Sequence, residues 1–138
     1  MKKPPELVPG DKNVRLNFYL VLAVYILIIV SVETFIDFVL QVSVDIRDPQ
    51  SIILMNQNKV IITNIVITVM HVLPLLLVAW LGYRILTSAK LPPARMKLPF
   101  TVPLIQGKNA RLIGMLLIIL SLFLISQDLV LLAEKITL

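Results

Sequence analysis

The chain of 138 residues has no cysteine, one histidine and four glycines, and each scarcity removes a class of chemistry. Without cysteine there are no disulfides, thiolate zinc sites, iron–sulfur clusters or thiol nucleophiles. A single histidine is too few for an all-histidine metal site within one chain. The sequence also lacks a glycine-rich phosphate loop, an HExxH motif and a nucleophile elbow. These absences predict a chain that is not itself an enzyme.

Charge is scarce as well, because only 15% of the residues are charged while 58% are hydrophobic. Soluble domains have about 25% charged and about 45–50% apolar residues, so this composition excludes a water-soluble globule. Low hydrophobicity is the signature of disorder, so the same composition excludes a disordered chain. The class that remains is an integral membrane protein.

Three segments are long and apolar enough to cross a bilayer as helices, namely residues 16–40, 60–83 and 112–132. At about 1.5 Å per residue they measure roughly 38, 36 and 32 Å, against a hydrocarbon core of about 30 Å. We therefore predict an all-α integral membrane protein with three transmembrane helices in a single membrane domain. The predicted connections are a mobile N-terminal segment (1–15), an outer loop (41–59), a basic, proline-rich inner loop (84–111) and a short tail (133–138).

Basic residues are concentrated on one side of the predicted spans. Ten of the thirteen Lys and Arg residues fall in the N-terminal segment or the inner loop. The positive-inside rule therefore predicts a cytoplasmic N-terminus and an outer C-terminus, in a multi-pass protein of a cell or organelle inner-type membrane. This bias accounts for the net charge of +5 without a nucleic-acid partner.

The inner loop is predicted to dock on lipid headgroups or on a partner protein. Each Lys or Arg near an anionic surface contributes about 1 kcal/mol to such binding. Its apolar stretch, residues 98–105, is interrupted by prolines and is expected against the bilayer surface or a partner. The basic residues expected to make these contacts are Arg84, Lys90, Arg95, Lys97, Lys108 and Arg111.

Polar side chains within the spans are the main functional signal, because a charged group at membrane depth costs about 2.5–3.5 kcal/mol. Counted along the helices from the ends of the spans, Glu33, Asn64 and Asp128 fall in one layer near the outer boundary. Such groups must find hydrogen-bonding or charged partners in protein. The residues predicted to pack helices or to bind partner chains are Glu33, Asp37, Asn64, Thr68, His71, Ser121 and Asp128.

His71 is the one candidate for ligating a metal or haem. Haem held by two histidines would need the second from a symmetric dimer or a partner subunit. The estimated depth places His71 about 7–11 Å from the acids, too far for one coordination sphere. We therefore expect no catalytic residue, no metal ligand and no cofactor bound by this chain alone. Instead, His71 is expected as a neutral imidazole bonded to Thr68 or a neighbouring helix, near a kink where Pro74 frees the carbonyl of Met70.

The polar layer leaves three functional interpretations open. The first is a small accessory or scaffolding subunit of a larger integral-membrane complex of oxidase, oxygenase or electron-transfer type, with membrane subunits and lipid headgroups as partners. The second is a homo-oligomeric ion or proton channel, or a small transporter, that uses the acidic cluster. The third is a lytic protein that permeabilises membranes. The lack of a soluble domain and the small interior of three helices favour the first.

Overall fold

A computed structural model describes residues 6–42, 49–93 and 95–137 of the chain. Within them three long helices dominate: α1 (Lys12–Val42), α2 (Pro49–Ser88) and α3 (Lys108–Thr137). All three are long and apolar enough to cross a membrane. The shortest has 30 residues and is about 45 Å long, which exceeds a hydrocarbon core of about 30 Å.

In the described part of the chain, four two-residue strands form two small antiparallel pairs at one end of the helices. Strand β1 (Leu7–Val8) pairs with β3 (Val102–Pro103), and β2 (Lys90–Leu91) pairs with β4 (Ile105–Gln106). We call this end, which holds the connection between α2 and α3, the loop end, and the other the far end. The connection is extended, as its four prolines predict, because proline has no amide hydrogen for a helix.

The helices are longer than the predicted spans and extend into the segments predicted as connections. Helix α2 begins at Pro49, so residues 49–59 of the expected outer loop are helical. Proline is well suited to the first turn of a helix, and no further proline or glycine follows before Pro74. Hydropathy marks where a helix stops being apolar and not where it ends. The rest of that loop, residues 43–48, lies outside the described residues.

The N-terminal segment differs in the same way from the free segment that the sequence suggested. From Glu6 onward it is bound to the connection, and α1 already begins at Lys12. The Leu104 amide donates to the Glu6 carbonyl at 2.7 Å, and the Asp11 amide donates to the Leu98 carbonyl at 2.8 Å. Backbone pairing with a segment some ninety residues away was not visible in local composition.

Helices α2 and α3 form a tightly packed antiparallel hairpin. They cross at Gly82 and Gly114, where a Cβ on either glycine would lie 2.7 Å from the carbonyl oxygen of the other. Ile85 and Ala110 are completely buried beside this crossing. Small residues allow two helix backbones to approach closely, which is how helices pack when both are surrounded by apolar side chains.

Helix α1 packs mainly on α2, and much less extensively than α3 does. Ile36 is its one buried hydrophobic residue among those described. The polar contacts that join α1 to α2 include that of Tyr25 with Met70 and that of Asp37 with Lys59. The molecule is therefore a close hairpin with a third helix laid more loosely beside it.

Candidate functional site

The acids of α1 face a lysine that the sequence analysis had placed in a loop. Lys59 lies on α2 and pairs with Asp37 at 2.6 Å, with both side chains about one-third exposed. Glu33, one turn away on α1, lies within electrostatic range of the same ammonium. Asp37 thus has a partner in its own chain, because the early start of α2 brings Lys59 to its level. The described side chains do not include Gln41, which shares this face of α1.

Asn64 is also satisfied within the chain. Its Nδ2 donates to the Val60 carbonyl at 2.8 Å, and its Oδ1 accepts from Lys135 Nζ at 3.1 Å. Lys135 belongs to the end of α3 and had been assigned to the tail. Asn64 is therefore in contact with α3 through the Lys135 side chain.

Asp128 lines the same groove as Tyr25 and His71, whereas Asn64 contacts Lys135 near the end of α3. That Glu33, Asn64 and Asp128 share one layer near the outer boundary stays a prediction.

Tyr25 is a residue that the sequence analysis assigned no role. Its hydroxyl donates to the Met70 carbonyl at 2.6 Å. Met70 lies four residues before Pro74, which has no amide hydrogen to donate to that carbonyl. The unpaired carbonyl was expected from the sequence. Its acceptor role toward α1 was not, because nothing in the local sequence gives the relative level of two helices.

A groove near the middle of the helices is built from all three of them. It has a volume of about 330 Å³ and opens on the outer surface of the molecule. Its walls comprise Tyr25 from α1, three residues of α2 and four of α3. The lining residues are Tyr25, His71, Pro74, Leu75, Leu124, Gln127, Asp128 and Leu131. We refer to it as the mid-helix groove.

The polar side chains of the mid-helix groove differ in how they are satisfied. Tyr25 is bonded as described, whereas His71, Gln127 and Asp128 make no hydrogen bond or ion pair within the described part of the chain. His71 and Gln127 are exposed, and Asp128 is half-buried. His71 and Asp128 thus face one shared space, although their side chains do not form an ion pair in the described structure. No bond joins His71 to the half-buried Thr68.

Ser121 is buried and does not line the mid-helix groove. It is 1% exposed, and its hydroxyl donates to the Leu117 carbonyl of its own helix at 2.7 Å. A second hydroxyl, that of Thr63, is buried without a hydrogen-bond partner among the described residues. Among those residues, no three His, Asp or Glu side chains are placed to hold a metal ion together.

The loop end carries the basic residues, and the structure pairs one of them. Lys97 lies 3.1 Å from the Asp11 carboxylate, which also accepts the Asn13 and Val14 amides and so caps α1. The hydrogen bond from Lys97 lowers the pKa of Asp11 below its ordinary value, and the two backbone amides lower the pKa further. This set of contacts fixes residues 6–14 on the connection.

The other five predicted docking cations are exposed and make no ion pair with the residues described. One of them, Arg84, lies over the ring of Trp80, with 5.4 Å between the guanidinium carbon and the ring centroid. The apolar stretch 98–105 was expected on the bilayer surface or a partner. Its Phe100 packs edge-on against Phe18 and Tyr19 of α1, so part of it is covered by the chain itself.

Comparison with protein-family models, with curated proteins and with solved structures gives no significant match. Function is therefore argued from the site alone.

Proposed function

We propose that the chain is a small, non-catalytic accessory subunit that crosses a membrane three times and holds helices of a larger integral-membrane complex. The proposed complex is an oxidase, an oxygenase or an electron-transfer assembly. The three long apolar helices support a multi-pass membrane location. The proposed orientation, with the loop end in the cytoplasm, rests on the basic residues gathered there.

The mid-helix groove is the observation on which this proposal depends. In a bilayer it would lie in the hydrocarbon core, where hydrogen-bonding groups without partners are costly. His71, Gln127 and Asp128 have no partner among the described residues, yet they point into one outward-facing groove. A helix from another subunit would both cover the groove and satisfy these groups.

The packing of the three helices also fits a subunit that holds others. The α2–α3 hairpin is fixed by the Gly82–Gly114 crossing, which gives one wall of the groove a defined shape. Helix α1, packed more lightly, supplies the opposite wall through Tyr25. Most large apolar side chains on all three helices are exposed, so much surface is open to lipid or to partner helices.

The exposed cations of the loop end give the proposed subunit a second contact area. In the cytoplasmic orientation, Arg84, Lys90, Arg95, Lys108 and Arg111 would face anionic headgroups or a partner's acidic surface. Trp80 and Tyr19, both about half exposed, lie at the same end and are residue types enriched at membrane interfaces. These contacts would fix the depth and orientation of the subunit in the membrane, and the mid-helix groove would determine which partner helix binds.

Purification in mild detergent tests the proposal. The tagged full-length chain, expressed at native level and extracted in digitonin, is expected to elute with at least one other membrane protein at fixed stoichiometry. A lone, monodisperse 15.5 kDa species would contradict it. Absorption spectra and metal analysis of the same sample show whether the assembly contains a cofactor.

A homo-oligomeric channel or small transporter is the second candidate, favoured by the same groove. Several copies around one axis would turn His71, Gln127 and Asp128 toward a shared path. Against it, Pro74, Leu75 and Leu124 line the groove on the side nearer the loop end, and their side chains offer no polar group to continue the path. Proton or ion flux in proteoliposomes that disappears in Asp128→Asn or Glu33→Gln would support this alternative over the first.

A further inference from the structure

We propose that the mid-helix groove binds a membrane-spanning helix of a different protein that carries a lysine or arginine near its middle, and that this cation pairs with Asp128. This inference rests on the proposed function and specifies the chemistry of the partner. The occupant is identified by charge complementarity, because the groove presents the Asp128 carboxyl group and the middle of this chain's own helices has no lysine or arginine to pair with it.

Asp128 differs from the other acids of the described helices. Asp37 is paired with Lys59, Glu33 lies within range of the same ammonium, and Glu134 has an interaction of its own. Asp11, which caps α1, is paired with Lys97. Asp128 has no cation and no hydrogen-bond donor within the described part of the chain. The chain thus supplies partners for its other helical acids and leaves this carboxyl group open toward the groove.

Among the described residues, no lysine or arginine pairs with Asp128. The sequence has no lysine or arginine in residues 16–46, 60–83 or 112–134, which include the middle of all three helices. The nearest basic residue along α3 is Lys135, and it is bound to Asn64. A carboxylate in a low-dielectric region requires a cation, a proton or several donors. A lysine or arginine that pairs with ionised Asp128 would therefore come from another molecule.

The shape of the groove favours a helix as the carrier of that cation. Leu75, Leu124 and Leu131 give its walls an apolar surface that suits aliphatic side chains. The lining residues that have no hydrogen bond or ion pair within the described part of the chain are Gln127 and Asp128 on α3 and His71 on α2. A helix packed along the groove would contact the leucine side chains and would place its cation at Asp128.

A second copy of this chain fits the groove less well. Its own helices offer His71 as the one basic group at this depth, with no lysine or arginine there. A symmetric dimer would have to pair each Asp128 with the His71 of the other copy. This arrangement is an outcome that the experiment separates from the proposal.

The test is recovery of the partner by the tagged full-length chain in digitonin, compared among three variants. Asp128→Asn keeps the shape of the side chain and removes its charge, and we expect it to lower recovery of the partner at least about tenfold, as loss of one member of a buried ion pair does. The matched control is Glu6→Gln, which removes an exposed carboxylate at the loop end, outside the groove, and its recovery should equal that of the wild type. The third variant, His71→Gln, should retain the partner.

Several results would decide against the inference. Undiminished recovery by Asp128→Asn overturns it while leaving the accessory-subunit proposal intact, whereas absence of any partner with the wild type overturns both. A partner without lysine or arginine in its apolar spans also overturns it. So does a homodimer that both Asp128→Asn and His71→Gln dissociate, since that result assigns the groove to a second copy. Equal thermal stability of the three purified variants shows that lost recovery is not misfolding.

Discussion

At the scale of the residue, Met70 shows how a helix defect can become a contact. Its carbonyl has no helical partner because Pro74 lacks an amide hydrogen, and the Tyr25 hydroxyl takes that place. The bond joins α1 to α2 close to the mid-helix groove, of which Tyr25 and Pro74 are both walls. The proline thus removes one hydrogen bond within α2 and supplies an acceptor for another helix.

Removing the Tyr25 hydroxyl should weaken this junction by a measurable amount. We expect Tyr25→Phe to lower the free energy of unfolding by about 0.6 kcal/mol and at most about 1.7 kcal/mol, the range for hydrogen bonds between membrane helices. In a Pro74→Ala background the restored amide can donate to Met70, so Tyr25→Phe should cost less there. Unfolding of the wild type, the two single variants and the double variant in mixed micelles measures this coupling.

The control is Tyr83→Phe, which removes a hydroxyl from an exposed ring. If Tyr83→Phe lowered the free energy of unfolding as much as Tyr25→Phe does, the role assigned to Tyr25 would be contradicted.

The glycine pair of the hairpin gives a second prediction at this scale. Gly114→Ala would place a Cβ 2.7 Å from the Gly82 carbonyl oxygen and 2.9 Å from the Leu86 nitrogen, both backbone atoms. The helices must separate, and we expect a loss of about 1–3 kcal/mol in the same unfolding measurement. Ala23→Val adds bulk at an exposed position of α1 and should change stability little. Unchanged stability in Gly114→Ala would refute the close crossing.

At the scale of the element, the apolar runs predicted the number of helices but not their ends or relative levels. Residues 49–59 contain several polar side chains and read as a loop, although nothing in them breaks a helix. That extension brings Lys59 opposite Asp37, and the length of α3 brings Lys135 opposite Asn64. Hydropathy is a property of one segment, whereas the level of one helix against another depends on packing such as the Gly82–Gly114 crossing.

The N-terminal segment gives a pH prediction for an element. The pKa of Asp11 is lowered from 3.8, chiefly by the hydrogen bond from Lys97. Ionised Asp11 therefore stabilises the folded arrangement when the pH is above the ordinary pKa of aspartate. This contribution is lost as the pH falls through the lowered pKa of Asp11. Amide exchange of Asp11 and Leu104, corrected for intrinsic rates, should accelerate over that acidic interval.

The matched variant for this prediction is Asp11→Asn. It should exchange faster than the wild type at pH 7, because the ion pair with Lys97 is absent while the side-chain oxygen can still cap the helix, and it should show no further acceleration in acid from this group. Glu6→Gln is the control, since the Glu6 side chain has no partner among the described residues and only its carbonyl is used. Identical exchange in Asp11→Asn and the wild type would contradict the role given to Lys97.

At the scale of the whole molecule, the distribution of charge predicts which way the helices run across a membrane. The chain has no cysteine, so single cysteines can be introduced without a background. We expect Gln57→Cys, near the far end, to react with an impermeant maleimide on intact cells, and Gln106→Cys, at the loop end, to react only after the membrane is opened. The reverse labelling pattern would invert the topology. Labelling of both on intact cells would contradict a three-span arrangement.

The most direct test of the account is a photo-reactive residue placed in the groove within native membranes. With the cross-linker at Gln127, we predict an adduct between this chain and a different membrane protein. With the cross-linker at Leu122, an exposed position of α3 outside the groove, we predict no such adduct. Lipid-only or absent adducts at Gln127, or the same adduct from both positions, would contradict a groove built to receive a partner helix.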